Sequence, residues 1–220
     1  MNNLILRFND KTEDNIELSD THVHALVSGN NYRKVLNRLL YNLAKDYSED
    51  EVMVNLLDTD IHQYRLSPEK STERKSFIMS MSTTDILDYI LHVAHKRFDL
   101  FSKYDCKDLE KYNALKFKEH EEYECLPQML VVLVNPCFGN YRNFDENKRR
   151  LTNILKVSRC AGIHVIVAGP RFYSILSTEC IDQFSTRICT ETDRENIEAL
   201  IESGSKINLK ENDALINTHN

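Results

Sequence analysis

The sequence predicts an α/β fold with a largely parallel sheet, and three features predict it. Apolar runs of strand length recur at residues 22–28, 51–58, 127–134 and 163–168. Stretches with helical i, i+4 apolar spacing separate several of them. The run PQMLVVLV at 127–134 is apolar without alternation, as a central strand covered on both faces requires. Strand and helix alternating along the chain imply one sheet with crossover helices.

Taken in order, segments 4–8 and 15–18 predict an edge hairpin around the polar residues 9–14. The run HVHALVSG at 22–29 is the first core strand. The helix Tyr32–Asp46 then carries Val35, Leu36, Leu39, Leu40 and Leu43 on one face. EVMVNLLD at 51–58 is the second core strand, and the polar stretch 59–81 is read as loop with a short element at 77–81. Hydroxyls of Thr83 and Thr84, beside Asp85, are placed to cap a long helix. Its buried face runs through Ile86, Ile90, Val93, Ala94, Phe98 and Phe101 to about Ser102. A further helix covers 107–118, and the acidic stretch 120–124 ends it in solvent. After the strand at 127–134, a helix over 146–160 buries Leu151, Ile154 and Leu155. IHVIVA at 163–168 and residues 186–190 are the remaining strands, and Thr192 with Glu195 forms a capping box for a last helix through Ser203.

The totals bound the class. A chain of 220 residues with 41% apolar and 28% charged content is an ordinary globular composition for a single domain. Residues 1–20 are expected to form the edge hairpin and 21–216 the core. A net charge of −6 argues against a general nucleic-acid surface. The cysteines Cys106, Cys125, Cys137, Cys160, Cys180 and Cys189 show no paired spacing, which points to reduced thiols in a cytoplasmic setting. Cys189 in a strand and Cys160 near a helix end are read as small hydrophobes. No segment has the pattern of a signal peptide or the length of a bilayer span, so no membrane insertion is expected.

The junction between the first core strand and the first helix carries the functional argument. In nucleotide-binding α/β domains a glycine-rich loop here wraps phosphates with backbone N–H groups. This chain has Ser28-Gly29-Asn30-Asn31-Tyr32-Arg33-Lys34-Val35 instead.

Several segments together resemble the motor domain of the FtsK/SpoIIIE translocases, a family that includes type VII secretion and conjugation ATPases. HVHALVSG is similar to the family's Pro-His-containing strand, with His24 on its histidine and Ser28-Gly29 on its Ala/Ser-Gly. Lys96–Ser102 with Tyr112-Asn113 resembles its aromatic helix motif. Arg159–Ala168 resembles its Arg-Ala-Gly-Ile-His block, Thr186-Arg187-Ile188 its Thr-Arg-Ile, and Asn212–Leu215 its Gly-Asp-containing motif. The resemblance runs from about residue 15 to 216. It implies a RecA-like domain, mostly parallel with helices on both faces, that in its relatives assembles into rings around DNA or exported protein.

Against that pattern the chemistry is missing. Counting back from the helix through Asn37, the loop is about three residues short and Lys34 lies past the lysine position. Counting forward from Gly29, Lys34 is one residue early and Val35 stands where the family has a magnesium-binding hydroxyl. Where the family has Asp-Glu after the buried strand, this chain has Asn135-Pro136. Asn lacks the charge that holds a divalent cation, and Pro offers no base. Ala168-Gly169-Pro170-Arg171 replaces the sensor-like polar residue with Pro170 but keeps Arg171. Ser28, Gly29, Asn30, Asn31, Lys34, Asn135 and Pro136 thus form a degenerate nucleotide pocket with no catalytic residue.

Arg171 and Arg187 match family arginines that sense nucleotide or cross subunit interfaces; here a subunit-interface contact or a structural ion pair is the expected role. Arg142, Lys148, Arg149 and Arg150 form a basic cluster after the strand whose following loops face the pore in relatives. It is a candidate contact for DNA, peptide or a partner, against a solvated helix start. His22 and His24 share a strand face at metal-ligand spacing, and His92 and His95 share a helix face near Asp88 and Asp99. No carboxylate or thiol completes the His22–His24 set, while His92 and His95 with Asp88 and Asp99 form a possible surface metal pair whose plain reading is solvated helix residues; no metal is expected.

The resemblance and its losses imply a pseudo-ATPase: a non-catalytic subunit or adaptor of a DNA-translocation, conjugation or secretion motor. Its expected partner is a related ATPase or a second copy of itself, and no cofactor is expected. The alternative is a nucleotide-binding DNA translocase domain whose ATP and magnesium site a partner completes. A third class is an unrelated small-molecule-binding α/β protein.

Overall fold

The computed structural model describes residues 4–7, 15–18, 24–58, 82–115, 125–136, 141–172, 175–190, 195, 197–198 and 215–218. The main sheet is built from β3 (Ala25–Ser28), β4 (Val52–Leu57), β5 (Gln128–Val134), β6 (Ile163–Gly169), β7 (Thr186–Cys189) and β8 (Leu215–Thr218). Their order is β4-β5-β6-β3-β7-β8. The first five strands are parallel, and β8 pairs antiparallel with β7. The α/β class and the mostly parallel sheet read from the sequence are therefore correct.

Helices cover both faces, as the uninterrupted apolar runs require. On one face α1 (Tyr32–Asp46) places Leu36, Leu39, Leu40 and Leu43 against Val54, Leu130, Val132 and Ile166. On the other, α2 (Thr83–Lys103) and α4 (Tyr141–Val157) pack on Met129, Val131, Leu133, Val165 and Val167, joined by the short α5 (Thr178–Ile181). The alternate residues of β5 thus divide between two cores. The seven-residue α3 (Leu109–Leu115) brings Leu109 and Tyr112 onto Phe101 in a satellite cluster.

Several element predictions need correction. β1 (Leu4–Arg7) and β2 (Asn15–Leu18) pair antiparallel, but as a separate sheet and not as the edge of the main one. The Ile5 N–H donates to the Tyr47 hydroxyl at 2.9 Å, which ties this hairpin to the end of α1. The cap of α2 is Ser82, whose Oγ accepts from the Asp85 N–H at 3.2 Å while its hydroxyl donates to Asp85 Oδ2 at 2.7 Å. Thr83 is instead buried as the first helical residue. α4 begins at Tyr141, ahead of the predicted 146, so the basic cluster is helical. Cys160 is exposed, while Cys180 and Cys189 are buried. The predicted element at 77–81, the Thr192 cap, His22 and Cys137 lie outside the described residues.

Two buried polar side chains hold the amino ends of the strands. Arg97 donates to the Ala161 carbonyl at 2.6 Å and to the Pro127 carbonyl at 2.7 Å, joining the approaches to β5 and β6. Burial pulls its guanidinium down to about 10, the guanidinium remaining charged at neutral pH. Asn113 imitates a strand, its amide donating to the Leu126 carbonyl at 2.9 Å and accepting from the Leu126 N–H at 2.9 Å.

Candidate functional site

The carboxyl ends of β3, β5, β6 and β7 meet where the chain changes direction across the sheet. From β3 the chain passes α1 and returns at β4, beyond β6 and β5; from β6 it crosses β3 to β7. Such a switch point opens a crevice at the strand ends, the usual ligand position in open α/β sheets.

Backbone geometry at this point is determined by the loop from Gly29 to Asn31. Gly29 has φ +110, and a Cβ there would lie 2.3 Å from Thr190 Oγ1 and 2.7 Å from the Thr190 carbonyl oxygen, so only glycine fits. Its N–H donates to the Gly169 carbonyl at 3.2 Å, and the Asn31 N–H donates to Thr190 Oγ1 at 3.2 Å. The Tyr32 N–H returns to the Gly29 carbonyl at 3.1 Å, while those of Lys34 and Val35 both return to the Asn31 carbonyl. A phosphate loop directs its N–H groups at the anion. Here those of Gly29, Asn31, Tyr32, Lys34 and Val35 are spent within the protein.

Thr190 locks this arrangement, since its N–H and its hydroxyl both donate to the Ser28 carbonyl, at 2.7 and 3.0 Å. Thr190→Val keeps the shape but leaves the Asn31 N–H without that acceptor. The expected loss is about 1–2 kcal/mol, read as a lower midpoint in urea unfolding with an unchanged m value. An unshifted midpoint would show that the Thr190 hydroxyl does not hold the loop.

Side chains then cross the strand ends. Asn135, at φ +44 just after β5, donates from Nδ2 to the Tyr32 hydroxyl at 2.7 Å. The same hydroxyl accepts from Arg33 Nε at 2.8 Å. Arg33 continues to the end of β4, where it grips Asp58 in a two-pronged pair, Nη1 to Oδ2 at 2.8 Å and Nη2 to Oδ1 at 3.2 Å. The Asp58 side chain is 0% exposed and that of Arg33 is 24% exposed. Gly169 admits Asn135 closely, since a Cβ there would lie 2.7 Å from Asn135 Oδ1.

The predicted site residues separate accordingly. Ser28, Gly29, Asn30, Asn31, Asn135 and Pro136 do gather at the strand ends, whereas Lys34 is exposed on the first turn of α1. Arg171 is exposed just beyond β6. Arg187 is buried, its Nη2 3.3 Å from Asp182 Oδ1 and its Nε donating to the Phe184 carbonyl at 3.3 Å. Lys148, Arg149 and Arg150 of α4 differ in their surroundings. Arg150 pairs with Asp88 on α2 and Glu146 on its own helix, both at 2.8 Å. The Lys148 ammonium lies 4.0 Å from the Phe144 ring centre, Arg149 is exposed, and Arg142 lies in the first turn of the helix. His92 and His95 are exposed, and among the described residues no three His, Cys, Asp or Glu side chains group as metal ligands. His24 is a structural clamp between β6 and α4, with Nδ1 accepting from the Val165 N–H at 3.1 Å and Nε2 donating to the Leu155 carbonyl at 2.8 Å.

Tyr32, Arg33 and Asp58 are the site residues that the sequence reading missed. Asp58 had a signal: it is a carboxylate closing a buried apolar strand. Nothing local connects it to Arg33.

Similar folds occur in solved ATPase structures. EssC ATPases 2 and 3 from Geobacillus thermodenitrificans match with a TM-score of 0.70 at 16% identity, over 100% of this chain and 43% of that one. The pCW3 conjugation coupling protein TcpA, in monomer form with ATPγS, matches with a TM-score of 0.67 at 16% identity, over 90% of this chain and 57% of that one. The cytoplasmic domain of the Thermomonospora curvata type VII secretion ATPase EccC gives 0.65 at 16%, over 89% of this chain and 24% of that one. This chain therefore has the α/β fold of these secretion and conjugation ATPase domains and spans well under two thirds of the length of each. No protein-family model matches the sequence, and no curated protein does. Among the described residues no helix is long and apolar enough to cross a membrane.

Proposed function

We propose that this chain is a degenerate FtsK/SpoIIIE-type ATPase domain, acting as a non-catalytic subunit or adaptor of a DNA-translocation, conjugation or secretion motor. The observation that carries the reading is the Asn135–Tyr32–Arg33–Asp58 chain of contacts across the strand ends. Magnesium triphosphate fits these residues poorly. The N–H groups of Gly29, Asn31 and Tyr32 are committed inward, Lys34 is exposed, and Asn135-Pro136 supplies neither a metal-binding charge nor a base. Phosphoryl transfer depends on positioning and charge stabilisation, so their joint loss removes turnover. The retained shape then serves assembly, with a related ATPase or a second copy as partner in the cytoplasm. Arg171, exposed beside the strand ends, and Arg149, exposed on α4, are the candidate contacts.

A fluorescent ATP analogue titrated into the purified chain, with and without magnesium, tests this directly. The expected result is no saturable binding at analogue concentrations up to about 1 mM, well above the micromolar range of a working site. Magnesium-dependent micromolar binding, or any hydrolysis above buffer, would overturn the reading in favour of a nucleotide-binding translocase domain.

A further inference from the structure

We propose that the outer face of α1, with the acidic turn that follows it, is a self-complementary surface on which a second copy of this chain docks antiparallel. The partner is one that the reading above already names, and the docking surface rests on that reading. Lys34, Arg38, Tyr41 and Lys45 follow one another at i, i+4, i+7 and i+11, which sets them in one line along the helix. All four are exposed. Tyr41, at 44%, is one of two large exposed hydrophobic residues among the described ones. The β1–β2 hairpin reaches this helix at Tyr47 and leaves the four exposed. Lys34 and Arg38 take part in other contacts within the protein as well. Their like charges one turn apart still weaken the helix, a cost that an outside anionic partner offsets.

Past Lys45 the sign of the charge reverses. Asp46, Asp50 and Glu51 are all exposed there. Glu51 fixes the turn, its carboxylate accepting from the Ser48 N–H and from the Ser48 hydroxyl at 2.8 Å each. A surface that runs from basic to acidic along one axis matches its own copy reversed. A twofold axis near Tyr41 sets the basic line of each copy against the acidic turn of the other. Tyr41 then lies at the centre, where interfaces favour tyrosine. The acidic turn and the net charge of −6 both count against a phosphate backbone as the occupant. One helix face is smaller than the roughly 800 Å² per partner of a stable complex, so the dimer is weak and salt-sensitive.

Sedimentation velocity at about 10 to 500 μM protein, in about 50 and about 500 mM sodium chloride, tests this surface. The wild-type chain is expected to dimerise with a Kd on the order of 100 μM at low salt, and roughly tenfold more weakly at high salt. Arg38→Glu with Lys45→Glu, and separately Asp46→Lys with Asp50→Lys, should each leave the chain monomeric. An equimolar mixture of these two variants should dimerise again, because each now complements the other. Tyr41→Ser should weaken the dimer roughly tenfold. A wild-type chain monomeric throughout, a dimer indifferent to salt, or a mixture of folded variants that stays monomeric overturns the proposal. If a reversal variant does not fold, salt and Tyr41→Ser decide, and a dimer that neither weakens overturns it. Duplex oligonucleotide binding without any dimer, abolished by Arg38→Glu with Lys45→Glu, assigns the line to phosphates and also overturns it. A missing dimer with no ATP binding leaves the non-catalytic reading intact with a related ATPase as partner, whereas ATP binding removes that reading whatever the dimer does.

Discussion

Arg33→Leu is expected to destabilise the fold by roughly 2–4 kcal/mol, more than most single surface changes. The asymmetry within the pair sets the size. The Asp58 side chain is fully buried, so removing Arg33 takes a two-pronged guanidinium contact from a carboxylate shut off from solvent. Arg33 is 24% exposed, and that access places the estimate below the full penalty for breaking a wholly buried pair. The leucine also removes a donor to the Tyr32 hydroxyl, which retains Asn135. Asp58→Asn is expected to lose less, because it removes the buried charge along with the attraction. Combining the two should therefore cost less than their sum, with a coupling energy of about 1–2 kcal/mol in urea unfolding. Additivity within about 0.5 kcal/mol would mean that the two side chains meet without depending on each other.

The same pair marks the limit of what could be read from the sequence. β5 and β6 were legible because a strand buried on both faces must be apolar throughout, and PQMLVVLV and IHVIVA admit little else. The damaged loop was legible for an equally physical reason: with Gly29 as its one glycine, few positions can turn their N–H groups toward a phosphate. What those N–H groups do instead was not legible. Thr190 and Gly169 are remote in sequence from Gly29 and reach it only because β7 and β6 flank β3. Likewise, Arg33 and Asp58 are brought together by the crossover from α1 to β4. The cap of α2 was misplaced because Ser82, Thr83 and Thr84 all carry a suitable hydroxyl, and only the first helical residue decides among them. The strand β8 escaped because its short run, Leu215–Thr218, becomes regular only when paired with β7.

Acid should unfold this protein through His24 in a way that a single substitution removes. The imidazole is buried, with Nε2 donating to the Leu155 carbonyl and Nδ1 accepting from the Val165 N–H. Both nitrogens are thus committed to the neutral ring, and a proton on Nδ1 would confront the Val165 donor. Burial, with smaller contributions from His164 and Arg159 opposing the partial support of the Leu155 carbonyl, lowers its pKa from 6.5 to about 3. With the folded pKa depressed, the unfolded chain takes up the proton first. The contribution of His24 is therefore complete above pH 6.5 and declines as pH falls toward about 3. From pH 6.5 to pH 4.5 the loss from this group alone is roughly 2–3 kcal/mol, at about 1.4 kcal/mol per pH unit. His24→Asn can keep an acceptor for Val165 but lacks both the Leu155 contact and the titration. It should be less stable than the wild-type chain at pH 7 by about 1–2 kcal/mol, with the gap closing or reversing at pH 4.5. Urea unfolding of both proteins at the two pH values decides the matter: parallel stability profiles would place the acid sensitivity in the carboxylates and leave His24 without a titrating role.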